Sequence, residues 1–283
     1  MNGKRFFIFG LTLFCLTAIL PGCAESQDND RIYQVSTLQA LMLGLYDGNT
    51  TVQQLQQQGN HGIGTFNALD GEMILLDKKT YRIRSDGKAV EVEPETKTPF
   101  ACVTQFKADV KYPLSGGRDF DQLKNALDAW LPTTNLPYAI RITGTFQYVK
   151  TRSVPKQSKP YPPLAEVAKT QPTFEFENVE GVMVGFRLPD YLAGVNMAGY
   201  HLHFLTKDCK GGGHVLTFNA KDAIVEVDNC QQLLLTLPDA KTFANVDLSD
   251  VKDQDIQAVE STTKPTTQPT SQSTSQPTTQ KAK

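Results

Sequence analysis

The chain has 283 residues, 40% of them hydrophobic, and a formal net charge of −2, which becomes −4 if a leader carrying Lys4 and Arg5 is removed. No basic cluster interleaved with aromatic residues is present, so nucleic acid is not an expected partner. The part between the two chain ends, about 230 residues, is long enough for one large or two small domains.

The N-terminus has the pattern of an export signal. Lys4 and Arg5 precede an uncharged apolar run over residues 6–20, which is short for a membrane span. The run ends in Leu20-Pro21-Gly22-Cys23, which resembles a bacterial lipobox. We therefore predict a signal peptide over residues 1–22 and a lipid anchor on Cys23, on the periplasmic or cell-surface side of the membrane. Ordinary signal cleavage nearby and a retained transmembrane anchor are the alternatives.

The central part of the chain reads mainly as strands with a few short helices. Asp70-Gly71 predicts a hairpin between strands at 64–69 and 72–76, and Ser85–Lys88 predicts a second one. Helices are predicted at residues 36–43, from residue 51 and at 120–131. Further strands are predicted at residues 81–84, 90–92, 100–106, 138–149, 173–176, 181–188, 200–204, 215–218, 223–227 and 232–237. This order predicts an α+β fold with mixed or antiparallel sheets.

Three of the four histidines lie within fourteen residues of one another. His201 and His203 are two residues apart, so on a strand both imidazoles point to the same face. The glycine-rich stretch 206–213 predicts a turn that brings His214 beside them. Three imidazoles with open positions left over are typical of a catalytic metal site. His61, in a glycine-rich loop, is interpreted as structural or pocket-lining.

The mature domain keeps three cysteines, Cys102, Cys209 and Cys230. An exported protein tolerates disulfides, so Cys209 and Cys230 could form one. Cys102 is interpreted as a small buried hydrophobic residue. Residues 261–283 consist of Thr, Ser, Gln and Pro with three lysines and one alanine, a composition typical of a disordered tail. The proline-rich segment 154–163 is the best candidate join between two halves.

Several functions are compatible with the histidine pattern on its own. Another zinc lyase or a hydrolase that activates water would use the same three ligands. A metal-binding lipoprotein without catalytic activity is the alternative of a different class, although such proteins favour loops rich in His or acidic residues, which are absent here.

The chain as a whole resembles the alpha-acetolactate decarboxylase family. The resemblance rests on residues 36–41, 44, 46–48, 62–66, 69–72, 81–87, 99–101, 152–157, 160–164, 199–204 and 212–215. These segments span nearly all of the mature domain, and only the leader and the tail lie outside them. The lipid anchor and the tail depart from the usual cytoplasmic or plain secreted forms of the family.

The resemblance implies a zinc-dependent enzyme that converts (S)-2-acetolactate to (R)-acetoin and carbon dioxide. It implies two β-rich domains, over residues 30–150 and 151–260, with the metal between them, and a homodimer. The implied zinc ligands are His201, His203 and His214. The implied catalytic residues are Glu72 near the metal, Arg152 pointing into the site and Glu260 directly before the tail.

Overall fold

The computed structural model describes residues 30–251 and residues 255, 256 and 259. The strands are β1 (Arg31–Val35), β2 (Thr50–Thr51), β3 (His61–Thr65), β4 (Glu72–Leu76), β5 (Lys79–Ile83), β6 (Ala89–Glu91), β7 (Lys97–Thr98), β8 (Ala101–Thr104), β9 (Val110–Asp119), β10 (Tyr138–Arg152), β11 (Thr173–Leu188), β12 (Gly199–Thr206), β13 (Gly212–Asn229) and β14 (Gln232–Thr236). The helices are α1 (Leu38–Met42), α2 (Val52–Gln58), α3 (Phe120–Trp130), α4 (Leu164–Ala168) and α5 (Ala240–Phe243). The predicted α+β class with few short helices is confirmed.

The first large sheet has seven strands in the order β14-β1-β8-β3-β4-β5-β6. Its neighbouring strands are antiparallel except β1 and β14, which run parallel. The sheet is therefore mixed, and its parallel pair joins the start of the described chain to its last strand.

The second large sheet has the order β10-β11-β12-β13-β9, and β10 also pairs with β13. Strands β10 to β13 thus close on themselves into a small antiparallel ring. Aromatic side chains fill its interior. The ring centroids of Phe146 and Phe204 are 5.6 Å apart, and those of Phe146 and Phe218 are 5.8 Å apart. This packing makes the ring a rigid support for the histidine hairpin.

Two further cores position the site. Ile63 and Ile74 of the seven-stranded sheet pack with Val184 and Phe186 of β11, so the two sheets share a core. A separate cluster joins α1, α4 and the end of the described chain beside the histidine hairpin. Its fully packed members are Leu38, Leu41, Met42, Tyr46, Leu69, Phe100, Val154, Leu164, Val167, Met197, Ile256 and Val259.

Local sequence signals explain where the helices begin. The Thr37 hydroxyl caps α1 by accepting the backbone N–H of Ala40. Asp119 and Gln122 form a capping box at the start of α3, which matches the predicted helix at 120–131. The predicted strand at 64–69 is wrong over its second half. Ala68 and Leu69 have positive φ angles in a short 3₁₀ turn, which no strand tolerates.

Other strands differ from prediction in their extent. Residues 173–176 and 181–188 are parts of one continuous strand, β11, and residues 215–218 and 223–227 are parts of β13. Strand β9 was not predicted, because Pro113 and the pair Gly116-Gly117 are typical of turns and weaken a strand pattern. Strand β9 lies at the edge of its sheet, where a proline is tolerated because the missing N–H does not break the ladder.

The predicted domain boundary between residues 150 and 151 falls inside β10. The strands on both sides of this point, β9 and β11, belong to the same sheet as β10. The division of the chain into two domains stays a prediction. The predicted signal segment with Cys23, Glu260 and the tail at 261–283 lie outside the described residues.

The three cysteines of the described chain are free thiols. Cys209 lies half-buried in the turn after β12, while Cys230 is buried with its Sγ 4.0 Å from the Thr104 hydroxyl oxygen. The structure therefore contains no Cys209–Cys230 bond. Cys102 is buried, as predicted. Among the described residues, no helix combines the length and the apolar character that a membrane crossing requires.

Candidate metal centre

The histidine segment forms the hairpin that its sequence predicts. Strand β12 carries His201 and His203 on one face, and a turn at 207–211 leads into β13. His203 and His214 stand directly opposite each other in the β12–β13 ladder. Gly213, at φ 137°, approaches the backbone so closely that an added Cβ would lie 2.5 Å from the carbonyl oxygen of Arg152. Glycine is therefore required there.

The three imidazoles converge on one point. His201 Nε2 is 3.2 Å from His203 Nε2 and 3.0 Å from His214 Nδ1. One nitrogen from each ring lies within 4.8 Å of the other two, and all three side chains are buried. This group could hold a metal ion.

A backbone contact and burial hold two of these rings, His203 and His201, in the form that binds metal. His203 Nδ1 lies 2.8 Å from the carbonyl oxygen of Met73, so Nδ1 carries the proton and donates, and the Nε2 lone pair faces the other rings. Burial, together with the nearby positive charge of Arg152, lowers the pKa of His201 to about 3. The imidazole is therefore neutral near pH 7, as a metal ligand must be.

Glu72 brings a carboxylate to the same point from the other sheet. It opens β4 directly after Gly71, whose φ of 87° makes the turn. Its Oε2 is 3.6 Å from His203 Nε2, and only 8% of the residue is exposed. Glu72 and His203 are therefore neighbours in the structure, while the predicted catalytic role of Glu72 stays a prediction.

Arg152 ends β10 and stands opposite His214 in the β10–β13 ladder. Its side chain is buried, and Nη1 donates a 2.9 Å hydrogen bond to the carboxamide oxygen of Gln171. The hydroxyl of the preceding residue, Thr151, donates to the carbonyl oxygen of Gly212, two residues before His214. This hydrogen bond fixes the position of Arg152 relative to the histidine hairpin.

Glu72, Arg152, His201 and His203 line one pocket with a cavity volume of about 30 Å³. Most of the remaining wall is apolar: Leu38, Leu41, Gly64, Thr65, Leu69, Phe100, Val154, Leu164 and Val259. A few converging polar groups within an apolar wall are typical of a small-molecule site. Glu260 follows Val259 in the chain but lies outside the described residues, so its predicted role stays a prediction.

His61 lies apart from this pocket, in the core between the sheets. Its ring stacks on Phe106 with centroids 4.6 Å apart, and its Nε2 accepts the backbone N–H of Gly185 at 3.3 Å. Burial lowers the pKa of His61 to about 3. It joins β3 to β11, which agrees with its interpretation as a structural residue.

Sequence reasoning missed the groups that support the site. The Met73 carbonyl, Gln171 and the apolar wall carry no local signal. A backbone carbonyl is present at every position, and the glutamine lies in an irregular segment before β11. Only the pairing of distant strands reveals which of them faces the histidines.

Comparison with known proteins places the chain in one family. The family model of alpha-acetolactate decarboxylase matches residues 32–250. The alpha-acetolactate decarboxylase of Methylococcus capsulatus is 47% identical over 83% of this chain and 90% of its own length. That of Methanosarcina mazei is 46% identical over 82% of this chain and 81% of its own length. The crystal structure of the Bacillus subtilis enzyme superimposes with a TM-score of 0.79 and 41% identity, over 82% of this chain and 99% of that chain. The chain belongs to the alpha-acetolactate decarboxylase family, a family of carboxy-lyases.

Proposed function

We propose that this protein is a zinc-dependent enzyme that decarboxylates (S)-2-acetolactate to (R)-acetoin and carbon dioxide. Membership of the family supports the reaction. The observation that carries the proposal is the convergence of the three imidazoles of His201, His203 and His214. Two of these, His201 and His203, line one pocket together with Glu72 and Arg152. A pocket with these groups suits a small acid with two adjacent oxygen functions.

The residues fit a bound metal ion. The imidazoles of His201, His203 and His214 would supply the ligands, the Met73 carbonyl fixes the tautomer of His203, and this donor set is the one that zinc favours in catalytic sites. When bound, such an ion supplies positive charge to the ketone oxygen that receives the electron pair of the breaking carbon–carbon bond. Because the three ligands are neutral, they leave that charge undiminished.

Arg152 orients the substrate. Its planar fork of donors suits a carboxylate, and the hydrogen bond to Gln171 fixes one side of the guanidinium. The amide oxygen of Gln171 is neutral, so it orients Arg152 without adding charge to the pocket. Held in this way, Arg152 aligns the carboxylate for departure as carbon dioxide.

Glu72 holds or moves a proton beside the histidines. Its carboxylate is buried, is 3.6 Å from His203 Nε2 and lines the same pocket as Arg152. The carbon that loses carbon dioxide must gain a proton, and a carboxyl group on one side of the substrate gives that step a defined face. The apolar wall keeps bulk water out and packs against the two methyl groups of the substrate.

Glu260 is proposed as a second carboxylate at this site. Val259, the residue before it, lines the pocket, and Ile256 packs in the cluster beside α1 and α4. The described part of the chain therefore reaches the pocket at Val259.

The proposal is tested by adding racemic acetolactate to purified protein and measuring acetoin by chiral chromatography. We expect (R)-acetoin to form faster than in the spontaneous reaction, and His203→Ala to remove the enhancement. Acetoin formation at the spontaneous rate by the metal-loaded wild-type protein would refute the proposal.

We also propose that the enzyme is an exported homodimer anchored to the bacterial membrane through lipid on Cys23. The lipobox pattern at residues 20–23 supports the anchor. Cys23→Ser should move the protein from the membrane fraction to the soluble fraction, and light scattering of that soluble form should give twice the chain mass. Persistence of the variant in salt-washed membranes would contradict the anchor, and a monomer mass would contradict the dimer.

A further inference from the structure

Ser153 connects the two sheets at the candidate metal centre. It follows Arg152 at the end of β10, and the residue is fully buried. Its hydroxyl donates a 2.7 Å hydrogen bond to the carbonyl oxygen of Ile83, the last residue of β5. The sheet that carries the histidines and the sheet that carries Glu72 are therefore joined within one residue of Arg152.

The accepting carbonyl lies against the part of the backbone that positions Glu72. Ile83 is the cross-strand partner of Glu72 in the β4–β5 ladder. A Cβ added to Gly71 would lie 2.3 Å from the Ile83 carbonyl oxygen, so this oxygen is packed against the turn that precedes Glu72. If the Ile83 carbonyl shifts, the turn at Gly71 has to shift with it, because the backbone here is too closely packed for the carbonyl to move alone.

A second hydrogen bond holds the other side of Glu72. The imidazole of His203 donates to the carbonyl oxygen of Met73, the residue after Glu72. Two hydrogen bonds from the five-stranded sheet thus hold the backbone around Glu72. One comes from His203, a candidate metal ligand, and the other comes from Ser153. Only the Ser153 contact can be removed without touching the histidines.

We propose that Ser153 is a positioning residue that holds the Glu72 carboxylate at its place beside His203 Nε2. This inference rests on the proposed function, in which Glu72 acts beside a bound cation. The attraction between a carboxylate and a cation falls with distance, and most steeply at short range. A displaced Glu72 therefore weakens cation binding even when the three histidines stay in place.

A double-mutant cycle on cation affinity tests this proposal. The mature full-length protein is stripped of metal, and the dissociation constant for Co²⁺ alone is measured by competition with a chromogenic chelator. The cycle contains wild type, Ser153→Ala, Glu72→Gln and the double variant. Thr104→Val is the matched control, because its buried hydroxyl also donates to a backbone carbonyl, that of Arg31, away from the site.

We expect Ser153→Ala to weaken Co²⁺ binding by about tenfold and Glu72→Gln by roughly 10- to 100-fold. In the Glu72→Gln background the serine change should add less than about twofold, because Ser153 acts through Glu72. Thr104→Val should bind Co²⁺ like wild type. If Ser153→Ala yields too little folded protein, Ser153→Cys, which keeps a weak donor of similar size, completes the cycle.

Two results would overturn the proposal. One is a Co²⁺ affinity of Ser153→Ala equal to that of wild type. The other is a loss of Co²⁺ affinity in the double variant equal to the product of the losses in the two single variants. The latter outcome would show that Ser153 supports the fold in general. Acetoin formation is assayed on the same preparations. A wild-type protein that binds Co²⁺ but leaves acetolactate unchanged would refute the proposed function alone, since the affinity cycle requires no turnover.

Discussion

Two regions of this molecule bury histidine, and they differ in what surrounds the ring. His61 and His201 are both almost inaccessible to solvent, and burial lowers the pKa of each to about 3. Around His201, two other imidazoles and the Glu72 carboxylate converge from three strands. Around His61, the neighbours are Phe106, Phe186 and the backbone of Gly185.

The difference shows that a buried, neutral imidazole does not by itself indicate a metal site. Desolvation produces the lowered pKa in either place. The candidate metal centre differs from the surroundings of His61 in the number of imidazole nitrogens that face one point, and that number depends on the register of the strands.

His203→Ala should abolish both metal binding and acetoin formation. It removes one of three ligands and also the ring that bonds to the Met73 carbonyl. Metal content measured by plasma mass spectrometry should fall to the background of the buffer. A stricter test replaces His201, His203 and His214 together with alanine. One zinc per chain retained by this triple variant would show that the three histidines are not the metal ligands.

Arg152→Lys should lower kcat while metal content stays at the wild-type level. Lysine keeps the charge but loses the planar fork and the defined contact with Gln171, and misplacement of this kind costs on the order of 100-fold in rate. Steady-state kinetics with metal analysis of the same samples checks this. Unchanged turnover would remove Arg152 from the mechanism.

Truncation on either side of Glu260 should separate the site from the tail. A chain that ends at Glu260 should keep wild-type activity, since a Thr, Ser and Pro spacer contributes no packing. A chain that ends at Val259 should lose roughly 10- to 100-fold in activity, if Glu260 supplies a carboxylate to the metal's surroundings. Equal activity of the two chains would show that Glu260 is an ordinary surface residue.

His61→Gln should leave metal content and acetoin formation unchanged but alter the pH dependence of stability. The pKa of His61 is about 3 in the folded protein and close to 6.5 when unfolded, so the unfolded state binds the extra proton between these values. The free energy of unfolding of the wild type should therefore fall as the pH is lowered from 6.5 towards 3. This fall should be steeper than that of the variant by up to about 1.4 kcal/mol per pH unit.

Urea denaturation of the two proteins between pH 7 and pH 4 checks this prediction. Groups common to both proteins cancel in the difference, which isolates His61. Identical slopes would mean that His61 is accessible to protons in the folded state. A loss of metal in the variant would break the contrast between the two histidine regions.

The sequence predicted the parts of the fold and site that depend on local pattern. The two-residue spacing of His201 and His203 and the glycine-rich turn were enough to predict that His214 lies beside them, and the structure adds that it stands opposite His203. Pairing between distant segments carries no such signal. The parallel contact of β1 with β14 joins segments about 200 residues apart, and the hydrogen bond from Ser153 to Ile83 spans 70 residues. A buried serine hydroxyl or a backbone carbonyl gains its role only when the sheets come together.

We propose that His201, His203 and His214 hold one metal ion on which decarboxylation depends. Titration of the metal-free protein with Zn²⁺, with acetoin formation followed at each addition, tests it most directly. We expect activity to rise linearly and to saturate at one equivalent of zinc per chain, and the triple alanine variant to stay inactive at every addition. Full activity in the metal-free protein, or equal activation of the triple variant, would contradict the claim.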